Sequence, residues 1–175
     1  MLIGIISDSH DHQDRLKDAV AFFNDLKVGH VIHAGDIISP FSMFILNDLA
    51  CPWNAVFGNN DGERRGLSIF SEGRVVEPPL ELVVDGKNLW VVHDLAAHTE
   101  GAAHTEGASH FVFEGVDVVI HGHTHRAGVE KRDGALFVNP GEACGYLTGN
   151  ATVAVLDTTG MTAEIREIPE ASRAL

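Results

Sequence analysis

The sequence predicts an α/β fold: two mixed β-sheets packed face to face with helices outside, a four-layer αββα sandwich. Three observations predict it. Strand-length apolar runs alternate with helical apolar stripes as far as Gly73. From Arg74 onward the texture changes to short strands joined by turn sequences. No linker or shift in composition interrupts the chain, so residues 1–175 read as one domain.

The first unit begins with the apolar run Leu2 to Ile6, which ends at Ser7-Asp8-Ser9-His10. Leu16, Ala19, Val20, Phe23 and Leu26 then recur at helical spacing, with Asp11 as the expected N-cap. Asp8 itself has an ordinary alternative as a cap of this helix. The second strand, Val28 to Ala34, runs into Gly35-Asp36, and Pro40 opens a second helix carrying Phe41, Phe44, Ile45, Leu46 and Leu49. The third strand, Trp53 to Phe57, ends in Gly58-Asn59-Asn60-Asp61-Gly62, and a helical or irregular segment follows from Glu63 to Gly73. Arg64, Arg65 and Arg74 are the basic cluster of this stretch and read as solvated, with a substrate phosphate as the alternative partner for one of them.

In the second half, Val75-Val76, Leu80 to Val84 and Asn88 to Val92 are short strands, the last two joined by a hairpin at Asp85-Gly86. The third of these delivers His93-Asp94. A tandem hexapeptide follows, Ala97 to Ala102 repeated as Ala103 to Ala108; it reads as a duplication in a surface loop, with a helix resuming around Ala103 to Phe113. Val116 to Ile120 is a buried strand ending in His121-Gly122-His123-Thr124-His125. Alternation would put these three histidines on one side if the strand continued, so loop geometry decides which of them reach a metal. Two hairpins close the chain, at Asp133-Gly134 and around Asp157 to Gly160, with a rigid turn at Asn139-Pro140-Gly141-Glu142 between them.

Composition narrows the function. The net charge of −13 disfavours non-specific binding to nucleic acid or to an anionic membrane, because both would repel the chain. Bound divalent cations would offset part of that charge locally. Cys51 and Cys144 lack CxxC spacing and read as two buried thiols. The opening run reaches Asp8 too soon for a signal peptide and lacks a basic start, and no apolar run reaches membrane-spanning length, so a cytoplasmic protein is expected.

Asp8, His10, Asp36, Asn59, His93, His123 and His125 each fall just past the carboxyl end of an expected strand. In an α/β sheet those ends share one edge, where residues distant in sequence become neighbours. Mixed carboxylate, amide and imidazole donors fit Mn²⁺ first, with Ni²⁺, Fe²⁺, Zn²⁺ or Mg²⁺ as alternatives, better than a thiolate or all-oxygen calcium site. Seven donors exceed one ion and suit two that share a carboxylate. His33 reads as a packed residue behind the site, and His12 and His30 as solvated surface histidines.

Asp8-Ser9-His10, Gly35-Asp36, Gly58-Asn59-Asn60-Asp61, His93 and Gly122-His123-Thr124-His125 match, in order, the motifs of the calcineurin-like metallophosphoesterases. The chain most resembles their small YfcE-like phosphodiesterases, whose tails carry a segment like Asn139 to Gly149. The resemblance implies one metal held by Asp8, His10, Asp36 and His125, and a second held by Asn59, His93 and His123, with Asp36 bridging. It also implies the sandwich fold already expected. Two-metal chemistry then supplies a bridging hydroxide for in-line attack on a phosphodiester.

Two positions depart from the family pattern. Asn60 stands where larger relatives carry a histidine thought to protonate the leaving group, and an amide cannot do so, which favours diesters or good leaving groups. Asp94-Leu95 stands where Gly-His is usual after His93. Asn59 and Asn60 are the expected phosphate contacts, and Asn60 and Asp61 the remaining catalytic candidates. The alternative to an enzyme is a weakly active or inactive protein-binding module on the same scaffold; seven competent ligand positions favour the enzyme. The phosphodiester's identity is left open, and a homodimer is the expected assembly.

Overall fold

The computed structural model describes residues 1–99 and 113–169 of the chain. The helix expected around Ala103 to Phe113, and most of the tandem repeat, lie outside the described residues.

Eleven strands and four helices are described: β1 Leu2–Ile6, α1 Gln13–Leu26, β2 His30–His33, α2 Ser42–Leu46, β3 Trp53–Val56, α3 Arg64–Phe70, β4 Val75–Val76, β5 Leu80–Val84, β6 Lys87–Val91, α4 Leu95–Thr99, β7 Val118–Ile120, β8 Gly128–Arg132, β9 Ala135–Asn139, β10 Thr152–Asp157 and β11 Thr162–Glu167. They form a six-stranded sheet in the order β11-β10-β1-β2-β3-β4 and a five-stranded sheet in the order β5-β6-β7-β9-β8. Both are mixed: β1, β2, β3 and β4 run parallel while β10 and β11 pair antiparallel, and β6, β7 and β9 run parallel between two antiparallel edge strands.

Period-two alternation divides the core. Ile3, Ile5, Ile32 and Val56 of the first sheet meet Leu89, Val91, Val118, Ile120 and Val138 of the second, and this layer binds the sheets together. The opposite face of the first sheet, with Ile6, Val31 and Ala55, packs on Leu16, Phe23, Leu46 and Leu67 of the first three helices. Trp90, Val92, Val119 and Phe137 lie on the outer face of the second sheet, against Leu95 of α4. Strands covered on both faces read as unbroken apolar runs, which is why β1 and β7 show no alternation in sequence. Gly4 interrupts the β1 run for a steric reason: a Cβ there would lie 2.8 Å from the Phe23 ring of α1.

The hairpin turns fall where the sequence places them, with Asp85, Gly86, Asp133 and Gly134 all at positive φ. One helix start differs. His12, not Asp11, is the N-cap of α1, its Nδ1 accepting from the Arg15 amide. Asp11 instead stands at φ 55° and accepts from the Ser42 hydroxyl, which ties the start of α1 to α2. His30 also differs from expectation, being half-buried with its ring Nε2 2.9 Å from Asn54 Oδ1. Neither cysteine is bridged; Cys144 is buried and Cys51 half-buried. No helix among the described residues is long and apolar enough to cross a membrane.

The inter-sheet layer is expected to dominate stability. Ile32→Ala, at a site with no exposed surface, should cost about 2–5 kcal/mol. Val83→Ala, at an edge-strand site 72% exposed, should change stability by less than about 0.5 kcal/mol. Urea unfolding of the two variants checks both.

Candidate metal centre

Parallel pairing of β1, β2 and β3 brings the loops after them to one sheet edge, and β6 and β7 deliver theirs beside it. Backbone bonds lock the loops together. Asp8 N donates to Gly35 O at 3.0 Å, His10 N to Asp36 O at 3.0 Å, and Gly122 N to His93 O at 3.0 Å. The turns are tight enough that Asp8, His10, Asp36, His123 and His125 all take positive φ, between 42° and 68°. Left-handed backbone is uncommon outside glycine and collects at functional sites. Two glycines let the loops approach. A Cβ on Gly58 would collide with the Asp36 carboxylate, and one on Gly122 with Ser7 Oγ and Asp8 Oδ2.

These loops gather all seven expected ligands. In one cluster His125 Nε2 lies 3.4 Å from Asp8 Oδ1 and 3.3 Å from His10 Nε2, while His10 Nε2 is 3.6 Å from Asp36 Oδ2. In the other, Asn59 Oδ1 is 3.0 Å from His93 Nε2 and 2.9 Å from His123 Nδ1, and His93 Nε2 is 3.3 Å from Asp36 Oδ2. Asp36 therefore stands between the clusters. The donors fit divalent cations. Asp8 Oδ1 is buried without a hydrogen-bond partner, although a charged oxygen so placed is costly unless a cation or donor meets it. His93 Nδ1 lies 2.8 Å from the Ala34 carbonyl, which can only accept, so the proton sits there and Nε2 turns its lone pair inward.

Electrostatics follows from this crowding. Burial pushes the Asp8 carboxyl up. Burial would raise Asp36 too, but the His93 imidazole and two hydrogen bonds from Asn60 outweigh it and hold that carboxyl well below the usual range. Burial lowers His93, yet the Asp36 carboxylate against its ring and the charge of Asp8 more than reverse this. Behind the cluster, His33 is fully buried, with Nε2 3.0 Å from Ser9 Oγ and Nδ1 accepting from Gly35 N, as expected of a packed residue. Burial holds it neutral, at about 3.

The remaining candidates sit differently from the seven expected ligands. Asn60 donates to Asp36 through its backbone N at 2.9 Å and its Nδ2 at 2.8 Å, so the amide serves the bridging carboxylate. Asp61 is buried and accepts from the amides of Asp36, Ile37, Ile38 and Gly58, which places it beneath the centre as a clamp between two loops. Asp94 Oδ2 lies 3.7 Å from His123 Nε2, and the same side chain receives the first amides of α4. Arg64 pairs with Glu77 at 2.6 Å and Arg74 covers the Trp53 ring at 4.5 Å, so both cations are engaged within the fold.

Three residues near the centre were not marked by the sequence. His12 stacks on the exposed Tyr146 ring at 5.1 Å. Asn139 Nδ2 donates to Gly122 O and Thr124 Oγ1, bracing the histidine loop. Glu142, wholly buried, lies 2.7 Å from His125 Nδ1. Besides the likeness of Asn139 to Gly149 to the tails of small relatives, the signal was their place in or beside turns, which distant side chains alone make meaningful.

Residues 1–161 match the calcineurin-like phosphoesterase superfamily domain. The chain belongs to that superfamily. It is 38% identical to the phosphodiesterase MJ0936 of Methanocaldococcus jannaschii over 96% of its own length and 98% of the relative's. A solved archaeal phosphodiesterase superposes with a TM-score of 0.80 at 35% identity, over 95% of this chain and 99% of that one. The Escherichia coli phosphoesterase YfcE shares the fold with a TM-score of 0.68 at 18% identity, over 97% and 100% of the two chains. Membership makes this superfamily chain a phosphoesterase-type hydrolase scaffold of a metal-using family, as its clustered donors also suggest.

Gly122→Ala should leave the fold intact but displace Ser7 and Asp8, lowering divalent-cation affinity about 10-fold or more in calorimetric titration with Mn²⁺ as the probe. His33 yields a pH dependence. Its pKa falls from about 6.5 to about 3 on folding, so between those values the unfolded chain binds more protons. Its contribution to stability is full above about 6.5 and is lost as pH falls toward about 3. Wild type should therefore lose stability on acidification across that window more steeply than His33→Gln, as read by metal-free thermal melts.

Proposed function

We propose that this chain is a dinuclear metal-dependent phosphodiesterase, with Asp8, His10, Asp36 and His125 around one ion and Asp36, Asn59, His93 and His123 around the other. The observation that carries the reading is Asp36, a buried carboxylate between two convergent donor clusters, beside the partnerless Oδ1 of Asp8. Two ions so held would acidify a water into a nucleophile near neutral pH and offset phosphate charge. Mn²⁺ is the expected occupant, with Ni²⁺, Fe²⁺, Zn²⁺ and Mg²⁺ as competitors whose outcome follows availability.

The protein's own part is positioning. The Ala34 carbonyl orients His93, Asn60 holds the bridging carboxylate, and Asp61 fixes the two loops that carry Asp36 and Asn59. With its Nδ2 on Asp36, Asn60 has no acidic proton for a departing alkoxide. That lack favours diesters or good leaving groups, in keeping with the name of the relative from Methanocaldococcus jannaschii.

A second reading, a protein-contact module, draws on one feature. Phe41, Phe44 and Phe70 are exposed and line, with Ile38 and Pro40, an apolar cavity of about 520 Å³ between α2 and α3. Exposed apolar patches of this kind serve contacts. Retention of every ligand position nevertheless favours the enzyme.

A chromogenic aryl diester and its monoester, assayed after chelation and again with Mn²⁺, test the proposal. Diester turnover should vanish with the metal and return with it, and exceed monoester turnover. Asp36→Asn or His123→Ala should lower diester turnover by at least about 100-fold, the upper end of what losing a mere support of a ligand costs. No turnover by folded protein loaded with two ions would sink the enzyme reading.

A further inference from the structure

A buried carboxylate outside the ligand set needs an explanation. Glu142 has no exposed surface, yet it is ringed by donors: Oε2 faces His125 Nδ1 at 2.7 Å and the Cys144 thiol at 3.3 Å, while Oε1 accepts from Leu147 N at 2.9 Å and Thr148 Oγ1 at 2.7 Å, and also from Thr148 N. We propose that Glu142 is a positioning residue of the metal centre, holding His125 as the Nδ1–H tautomer with Nε2 free for a metal and tying that ring to the turn of residues 146–148. The proposal rests on the reading of His125 as a ligand.

The chemistry of the partners supports it. An ionised carboxylate only accepts, so His125 Nδ1 must carry the proton, and the neutral ring is left with its lone pair on Nε2. That atom is the one beside Asp8 Oδ1 and His10 Nε2. Carboxylates behind metal-bound histidines orient the ring and raise its basicity. Here the same carboxylate also gathers the amides of Leu147 and Thr148, so the turn presenting the exposed Tyr146 and Leu147 side chains is anchored to the ligand itself. Tyr146 in turn stacks on His12, two residues after His10.

The isosteric Glu142→Gln variant separates this from a merely structural role. The Leu147 amide reaches both oxygens, but the Thr148 amide and hydroxyl are donors to the Oε1 position alone, so the glutamine oxygen must stay there. Its NH₂ then faces His125 Nδ1 and can only donate. The ring must accept at Nδ1 and move its proton to Nε2, the atom the metal needs.

Nitrogen-15 NMR of the metal-free proteins in mildly alkaline buffer, with calorimetric titration of Mn²⁺, tests this. Wild type should show Nδ1–H at His125 and Glu142→Gln should show Nε2–H, with His93 unchanged because the Ala34 carbonyl sets its tautomer. Mn²⁺ affinity should fall about 10- to 100-fold in the variant, and stay at the wild-type level in Cys144→Ala, which removes only the thiol. An Nε2–H ring at His125 in wild type would overturn the proposal without any variant, even if Glu142→Gln fails to fold. Equal Mn²⁺ affinity in wild type and Glu142→Gln would overturn the role of Glu142 alone. A wild type that binds no Mn²⁺ would overturn the metal reading, and the proposal with it.

Discussion

Two carboxylates at the ends of neighbouring parallel strands set the terms for this protein. Asp8 and Asp36 are both buried, and each is paired with imidazoles rather than with a fixed cation. Such groups repel one another and resist desolvation, so the folded chain tolerates them only where positive charge or donors converge. Hydrogen bonds from Asn60 meet Asp36 and the His93 ring lies beside it, whereas Asp8 Oδ1 lies near two imidazoles without accepting a hydrogen bond. The surrounding loops can be understood as the structure needed to hold this arrangement.

Close approach is the first requirement. Gly58 and Gly122 stand where any side chain would enter the space of Asp36 or of Ser7 and Asp8, so their role is spatial and neither takes a positive φ. The strained turns instead fall on the candidate ligands themselves, and aspartate tolerates left-handed backbone better than bulkier residues do. Asp61 offsets some of that strain by collecting four loop amides that no strand could satisfy. The Gly58 to Asp61 loop divides its tasks: Asn59 faces the centre, Asn60 steadies Asp36, and Asp61 lies beneath.

Much of the fold was legible because its signals are local. Apolar runs, helical stripes and Asp-Gly turns depend on neighbours within a few residues, and the two late hairpins fall on the expected segments. Misreadings arose where a side chain's partner is remote. Asp11 has the composition of a helix cap, but Ser42 draws its carboxylate away and His12 takes the cap. His30 reads as a surface residue until Asn54, on the adjacent strand, is placed beside it. Arg74 reads as solvated until the Trp53 ring comes to it, whereas Arg64 is exposed as expected and pairs with Glu77 at the surface.

The sequence by itself determined the α/β class and its two-part texture, together with a set of ligand-type residues at strand ends and the motif order that names the superfamily. Periodicity and motif spacing are short-range properties, and the chain carries them before it folds. Only tertiary structure decided which oxygen of Asp8 is left without a partner, that Asn60 spends its amide on Asp36, and that Asp61 lies under the loops. It also decided that Glu142, which reads as part of a turn, stands behind His125. Those outcomes depend on distances between residues far apart in the chain, and packing the two sheets together is what sets them.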